Sequence, residues 1–308
     1  VANRYWVGGT ASWDGTAGTK WSDTDGGAGG FSVPTTADDV FFTASSGVGT
    51  VTIATGNTGA KSITCTGFTG TLTGTATITV AGSITLDAGM TYTHTSGAIT
   101  ITGTCTLTTA GKTLSRIEVT SPGAVTQADA LTVTSLIIIN SGTFNTANYN
   151  LSCNQIFSSN TAVRTITLGS STVTASTIAF DTSTNLTFSA GTSQLNLSTQ
   201  TSFNGGSGQT FYNVAFTSTA STTLTISGAN TFNNLSFNGP SSPGVRIINV
   251  DSRQTINGTL STTGTAGNRR VWFRGTTYGI AQTLTVNATP SLTDADFRDL
   301  YVIGTAAP

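Results

Sequence analysis

From about Thr50 onward the chain repeats one phrase, a few alternating β-formers, a Gly or Asn turn, and another alternating run. Residues 77–86 (TITVAGSITL), 98–107 (AITITGTCTL), 131–144 (LTVTSLIIINSGTF) and 224–237 (LTISGANTFNNLSF) are variants of it. Apolar residues recurring every second position mark strands, and no stretch carries the 3.6-residue period of a helix. A chain of short strands must close its backbone hydrogen bonds either through hairpins or by stacking coil upon coil. Two-residue hairpin turns are scarce, and Asn257-Gly258 is the nearest approach to such a signal. The expectation is therefore an all-β fold, a right-handed single-stranded parallel β-helix, with a β-sandwich array as the alternative. Stacked coils place equivalent residues about 4.8 Å apart, so inward Ile, Leu, Val and Phe would form ladders.

Interruptions are short and polar, at 110–112, 121–123, 158–161, 204–208 and 239–244, and Pro122, Pro240 and Pro243 fall in them. A proline there withholds no amide from a central strand. No GGxGxD motif occurs, so a calcium-binding nonapeptide solenoid is excluded. Three regions separate by texture: a Gly-, Asp- and Trp-rich segment at 1–45, the repetitive β segment at 46–245, and a more charged one at 246–308.

Only 8% of residues are charged, so Thr, Ser, Asn and Gly must wet the surface. Low charge with regular apolar alternation argues for a folded β protein rather than disorder. The net charge of -1 and the lack of a basic stripe exclude a nucleic-acid partner. Arg269, Arg270 and Arg274 are the densest basic group and have no basic field around them. No apolar run approaches the ~18 residues of a membrane-spanning helix. Cys65, Cys105 and Cys153 are odd in number and widely spaced, so they read as buried thiols. With His94 the single imidazole and no CxxC, a zinc site lacks its ligands.

A solenoid end exposes core and unpaired strand edges, which must be covered by something atypical. Trp6, Trp13 and Trp21 in the Gly-rich opening suit such a cap, and the alternative is ligand contact through exposed rings. Asp23, Asp25, Asp38 and Asp39 are candidate oxygen ligands for a structural calcium ion. Glycoside cleavage needs two carboxyl groups about 5 to 9.5 Å apart. Asp294 and Asp296 on one face of a strand would lie about 6.5 to 7 Å apart, which permits an acid and a nucleophile. The plainer account makes them solvated turn carboxylates near Arg298. Elsewhere Asp87, Glu118, Asp129 and Asp181 are isolated, and His94 alternates with Tyr92 as a stacked polar side chain. The chain is read as non-enzymatic, without a cofactor. Asn140, Asn145, Asn148, Asn150 and Asn154, then Asn230, Asn233, Asn234 and Asn238, read as turn residues satisfying their own backbone. Arg246, Asp251, Arg253, Arg298 and Asp299 gather with Trp272 and Tyr278, marking an exposed face, a subunit interface or a transition to another domain. The start at Val1 and the final IGTAAP suggest a processed or partial chain.

The opening NRYWVGGTASWDGTAGTKWS, continuing through GGAGGFSVPTTADDVFF, resembles the start of a family of repetitive β-rich proteins common in tailed-bacteriophage and environmental viral sequences. The segments KSITCTGFTGTLTG and TFNNLSF resemble its body. The resemblance implies a virion component, such as a tail fibre, spike or other surface appendage. Host attachment is its implied task, other virion proteins and a host surface glycan its implied partners, and the virion, extracellular after release, its place. Fibres and spikes of this architecture are often trimers. An uncharged hydroxyl exterior, with few flexible groups to immobilise, also favours self-association as a homotrimer. The departure from the family is the absence of a recognisable receptor-binding tip or dense acidic groove. A secreted bacterial surface adhesin and a polysaccharide-degrading tailspike are the alternatives.

Overall fold

The computed structural model describes residues 1–56, 58–199, 201–263 and 268–306. Strands hold 53% of the chain and helix 1%, and the parallel sheets stack as a β-solenoid of about 12 turns. The coils belong to two compact units, Val1–Cys153 and Asn154–Pro308. Their boundary lies within the stretch whose texture the sequence leaves unbroken.

In the first unit the alternation of each coil is divided among three parallel faces. One face runs through Asp39–Thr43, Ser62–Thr66, Ile84–Thr85, Thr104–Thr108, Ala124–Gln127 and Gly142–Asn145. A second runs through Ala11–Trp13, Thr50–Ile53, Thr71–Gly74 and Thr91–His94. The third runs through Gly59–Ala60, Ile78–Val80, Ala98–Ile101, Arg116–Val119 and Leu131–Ile139. Because side chains alternate, one parity of each strand turns inward and stacks on the same parity of the next coil. Val40, Ile63, Ile84 and Leu107 form one inward row, and Ile78, Ile99, Ile117 and Ile137 another, all buried. Each such side chain removed from water stabilises by about 1.5–3 kcal/mol, and the next coil is what removes it.

The sandwich alternative fails on this parallel register. Antiparallel pairing does occur where Trp21–Ser22 lies across the outer edge of Asn3–Trp6, whose other edge pairs parallel with Asp39–Thr43. The expected cap is therefore present in the form of a strand and a plug. Trp21 packs edge to face on Trp6 and on Trp13, with ring centroids 5.0 and 5.4 Å away, and all three rings lie against Phe42.

The second unit follows the same rule. Leu195, Val214, Leu235 and Leu260 form an inward row, as do Phe211, Phe232, Ile256 and Val286, and Leu224, Ile248, Phe273 and Phe297. Phe residues stack coil on coil within these rows, Phe211 on Phe232 at 5.6 Å and Phe273 on Phe297 at 5.1 Å. The Asn257-Gly258 turn makes a corner rather than a hairpin. The strands Gln254–Ile256 and Leu260–Thr263 on either side of it both lie parallel on Thr231–Asn238. One corner position needs glycine outright, since Gly228 has φ +81 and a Cβ there would sit 1.5 Å from the Gly206 carbonyl oxygen.

Candidate functional site

The two C-terminal carboxylates are drawn to one arginine. Asp294 precedes the strand Ala295–Arg298 with φ 51, outside the regular alternation expected to set it on one strand face with Asp296. Arg270 takes up both carboxylates. Its Nε and Nη2 donate to the two oxygens of Asp296 at 2.5 and 2.7 Å, and its Nη1 lies 3.9 Å from Asp294. The hydrogen bonds from Arg270 hold the Asp296 carboxyl below the usual carboxylate range, so it cannot retain a proton to donate near neutrality. Beside this pair, Trp272 stands in register with Asp296, and Arg274 with Arg298. The Arg274 and Arg298 guanidinium groups lie 5.3 and 5.6 Å from the Trp272 ring, and Arg298 also sits 3.8 Å over Tyr278. The charged C-terminal texture thus resolves into an outward face of stacked planar groups.

The N-terminal carboxylates are dispersed. Asp38 accepts from the Thr35 amide and hydroxyl and from the Ala2 amide. Burial works against its ionisation, but these bonds outweigh it and hold its pKa down. Asp39 is held by Lys61 and Ser62, and Asp25 accepts from Thr43, while no such bond joins Asp23 to them. Among the described residues, no three His, Cys, Asp or Glu side chains converge as metal ligands, so the proposed calcium set is not assembled. The tryptophans offer no ring face to a ligand either: Trp6, Trp13 and Trp21 are at most 1% exposed.

Isolated carboxylates of the repeat region staple one coil to its neighbour. Asp87 accepts from the Gly89 and Gly67 amides at 2.7 Å each, which lowers its pKa. Asp129 takes the amides of Thr109 and Ala110, and Glu118 takes Asn140 and Arg116. His94 is buried, with Nε2 2.7 Å from the Ala76 carbonyl oxygen, so Nε2 carries the proton. Its Nδ1 is buried without a partner, and burial pushes its pKa down. Among the described residues, no hydroxyl or thiol is bonded to it that it could activate. The three cysteines are free and buried as expected, with each thiol pushed up to about 12.

Two arginines are buried cations, Arg164, which the sequence reading passed over, and Arg246, which it set in the charged C-terminal stretch. Arg164 is fully buried and donates to the carbonyl oxygens of Ala162, Thr182 and Thr184 and to the Ser158 hydroxyl. Arg246, placed by sequence in the charged C-terminal texture, instead belongs to an inward row with Val271 and is fully buried. Its guanidinium donates to the carbonyl oxygens of Phe216 (3.1 Å), Asn238 (3.0 Å), Ser218 and Thr199. These oxygens come from strand ends and the residues just beyond them on successive coils, so the cation fills an interior corner where backbone acceptors converge.

An amide-rich surface runs across coils of the second unit. Gln194, Asn213 and Asn234 stand in register on three coils, and Asn234 Nδ2 donates to Asn213 Oδ1 at 2.9 Å. With Ser236, Thr259 and Ser261 they line an open groove of about 300 Å³. Asn234, expected in a turn, therefore lies in a strand and forms an inter-coil ladder with Asn213. Comparison with protein-family models, with curated proteins and with solved structures gives no match.

Proposed function

We propose that this chain is a non-enzymatic structural component of a bacteriophage particle, in a tail fibre, spike or other surface appendage that contributes to host attachment. The observation that carries this reading is the commitment of its chemistry to its own scaffold. Asp87, Asp129 and Glu118 bind the neighbouring coil, and Asp296 is closed by Arg270. A β-solenoid is compatible with such a role, and the RYWVGG and PTTADDV segments resemble the phage-associated family. The amide and hydroxyl groove from Gln194 to Ser261 supplies donors and acceptors suited to glycan hydroxyls, which supports a host surface polysaccharide as the contact.

The test is immunogold imaging of purified phage particles with antibody to the chain, followed by incubation of the protein with host polysaccharide. Labelled appendages and unchanged glycan length are expected. Chain found in the bacterial envelope but not on particles would overturn the reading in favour of a surface adhesin. Shortened glycan would overturn its non-enzymatic part in favour of a degrading tailspike.

A further inference from the structure

The amides of the groove in the second unit are held in one orientation by the backbone. The Thr259 amide donates to Asn234 Oδ1 at 2.8 Å, and a backbone N–H can only donate, so the oxygen of Asn234 is the end that meets it. Asn234 therefore turns its Nδ2 to Asn213, whose Oδ1 accepts it at 2.9 Å and also accepts Asn233 Nδ2 at 3.2 Å. Both lone pairs of the Asn213 oxygen are taken, and its Nδ2 has no partner among the described residues. One coil earlier the polarity is reversed. Gln194 Nε2 donates to the Leu195 carbonyl oxygen and to Asn196 Oδ1, each at 3.1 Å, which leaves Oε1 as an acceptor with no partner among the described residues. Gln194 and Asn213 stand in register on adjacent coils, so a fixed acceptor and a fixed donor stand one coil apart. Both line the open groove of about 300 Å³, with Ser236 and Ser261.

We propose that this groove takes an uncharged polysaccharide, its chain running along the coil stack over Gln194 and Asn213, an inference that rests on the glycan contact proposed above and adds its chemical class. A sugar hydroxyl both donates and accepts, so neighbouring hydroxyls can meet Asn213 Nδ2 and Gln194 Oε1 together. Groups already fixed by the ladder need no ordering when the ligand arrives. Charge decides the class. From Thr182 to Val245 the sequence holds no charged residue, and none lines the groove. A carboxylate or phosphate on the ligand would therefore give up water with no opposite charge to replace it. An apolar ligand would find only Val214 to cover. A peptide strand has no edge to join, because Thr210–Phe216 and Thr231–Asn238 are each already paired on both sides.

Binding of the full 308-residue chain to an array carrying neutral and uronate-bearing bacterial polysaccharides tests this. Binding to neutral chains alone is expected, with an affinity unchanged between about 0.1 and 1 M salt, a range over which charge attraction is screened away. Asn213→Ala removes the free donor and should weaken binding about tenfold. Because it also removes a rung of the ladder, Ser236→Phe accompanies it. The Ser236 hydroxyl bonds nothing among the described residues, so a ring there fills the groove and should abolish binding with the melting temperature unchanged. Neutral chains bound no less tightly by folded Ser236→Phe or Asn213→Ala would overturn the placement in this groove. Binding confined to uronate-bearing chains would overturn the uncharged class while leaving a glycan contact standing. If no polysaccharide binds, the glycan contact falls together with this proposal, whereas the place of the chain on the particle is decided separately by the imaging above.

Discussion

Replacing Arg246 by Met tests whether a buried cation without a carboxylate partner is a necessary part of this core. Burial pushes the Arg246 pKa down to about 10, which corresponds to about 3 kcal/mol spent on keeping the charge out of water. Against this stand the three carbonyl bonds to Phe216, Asn238 and Ser218, with a longer one to Thr199. Hydrogen bonds to a charged donor contribute about 1.5–3 kcal/mol each, so the three together contribute between about 5 and 9. The net is a stabilisation of about 2–6 kcal/mol. Buried ion pairs are often replaced by apolar side chains without loss, because both charges leave together. Here the acceptors are backbone oxygens that remain buried when the guanidinium is gone. Arg246→Met should therefore destabilise by about 3 kcal/mol, and in a unit of ~155 residues the melting temperature should fall by roughly 10 °C. Arg246→Lys keeps the charge but cannot fork between separate carbonyls, so it should fall between Met and wild type. Differential scanning calorimetry of the three proteins measures this. A Met variant melting within about 2 °C of wild type, or above it, would refute the argument that the carbonyl oxygens need the cation.

Three further outcomes follow from buried groups of the first unit. Cys65, Cys105 and Cys153, with thiols near 12, should have a thiolate fraction of only ~10⁻⁴ at pH 8. Native protein should leave all three unlabelled by a maleimide, and denatured protein should label them fully, so fast native labelling of any would contradict its burial. Unfolded His94 protonates near 6.5, but the folded imidazole does so at lower pH, because burial disfavours its cation more than the Ala76 carbonyl favours it. Its contribution is complete above pH ~6.5 and declines as the pH falls toward the folded pKa; the urea midpoint should therefore drop between about pH 7.5 and 5.5, and less so in His94→Gln. An identical drop in that variant would assign the effect to other groups. The Tyr92 hydroxyl is buried without a partner beside an interior cavity lined by Ile63, Leu72, Ile78, Ile84, Leu86 and Ile99. Tyr92→Phe removes an unsatisfied polar group and should stabilise by about 1 kcal/mol in chemical denaturation, and a loss of similar size would show that the hydroxyl is satisfied after all.

Period-two alternation carried most of the fold, since a run such as Thr104–Thr108 can bury only Cys105 and Leu107 together. The absence of hairpin signals then left parallel stacking as the way to pair the edges. The tryptophan cap was legible because large rings in a Gly-rich opening have few other uses. Residues whose partner lies one coil away were not legible. The Asp87 staple to Gly67 or the Asn213 ladder to Asn234 depends on register, which a single imperfect repeat does not fix. The buried arginines did carry a signal in their parity. Arg164 alternates with Ile166 and Leu168, and Arg246 with Ile248 and Val250, so each stands on the inward count of its own strand. Charge suggested the surface, and parity was the better guide. Asp294 misled for the opposite reason, as its left-handed backbone breaks the alternation that Asp296 and Arg298 keep.

The inward row of the first unit sets how such a chain can change in length. Val40, Ile63, Ile84 and Leu107 occupy one column although the coils joining them differ in residue number, because the slack is absorbed at the corners. A single residue lost from within a strand would turn every later side chain of that strand to the wrong face. Loss or duplication of a whole coil would leave each remaining column intact and merely bring Ile63 onto Leu107, two residues already matched in shape. Away from the corners, such a protein can be lengthened or shortened only in steps of one turn. Its size is therefore a countable property, reckoned in whole coils.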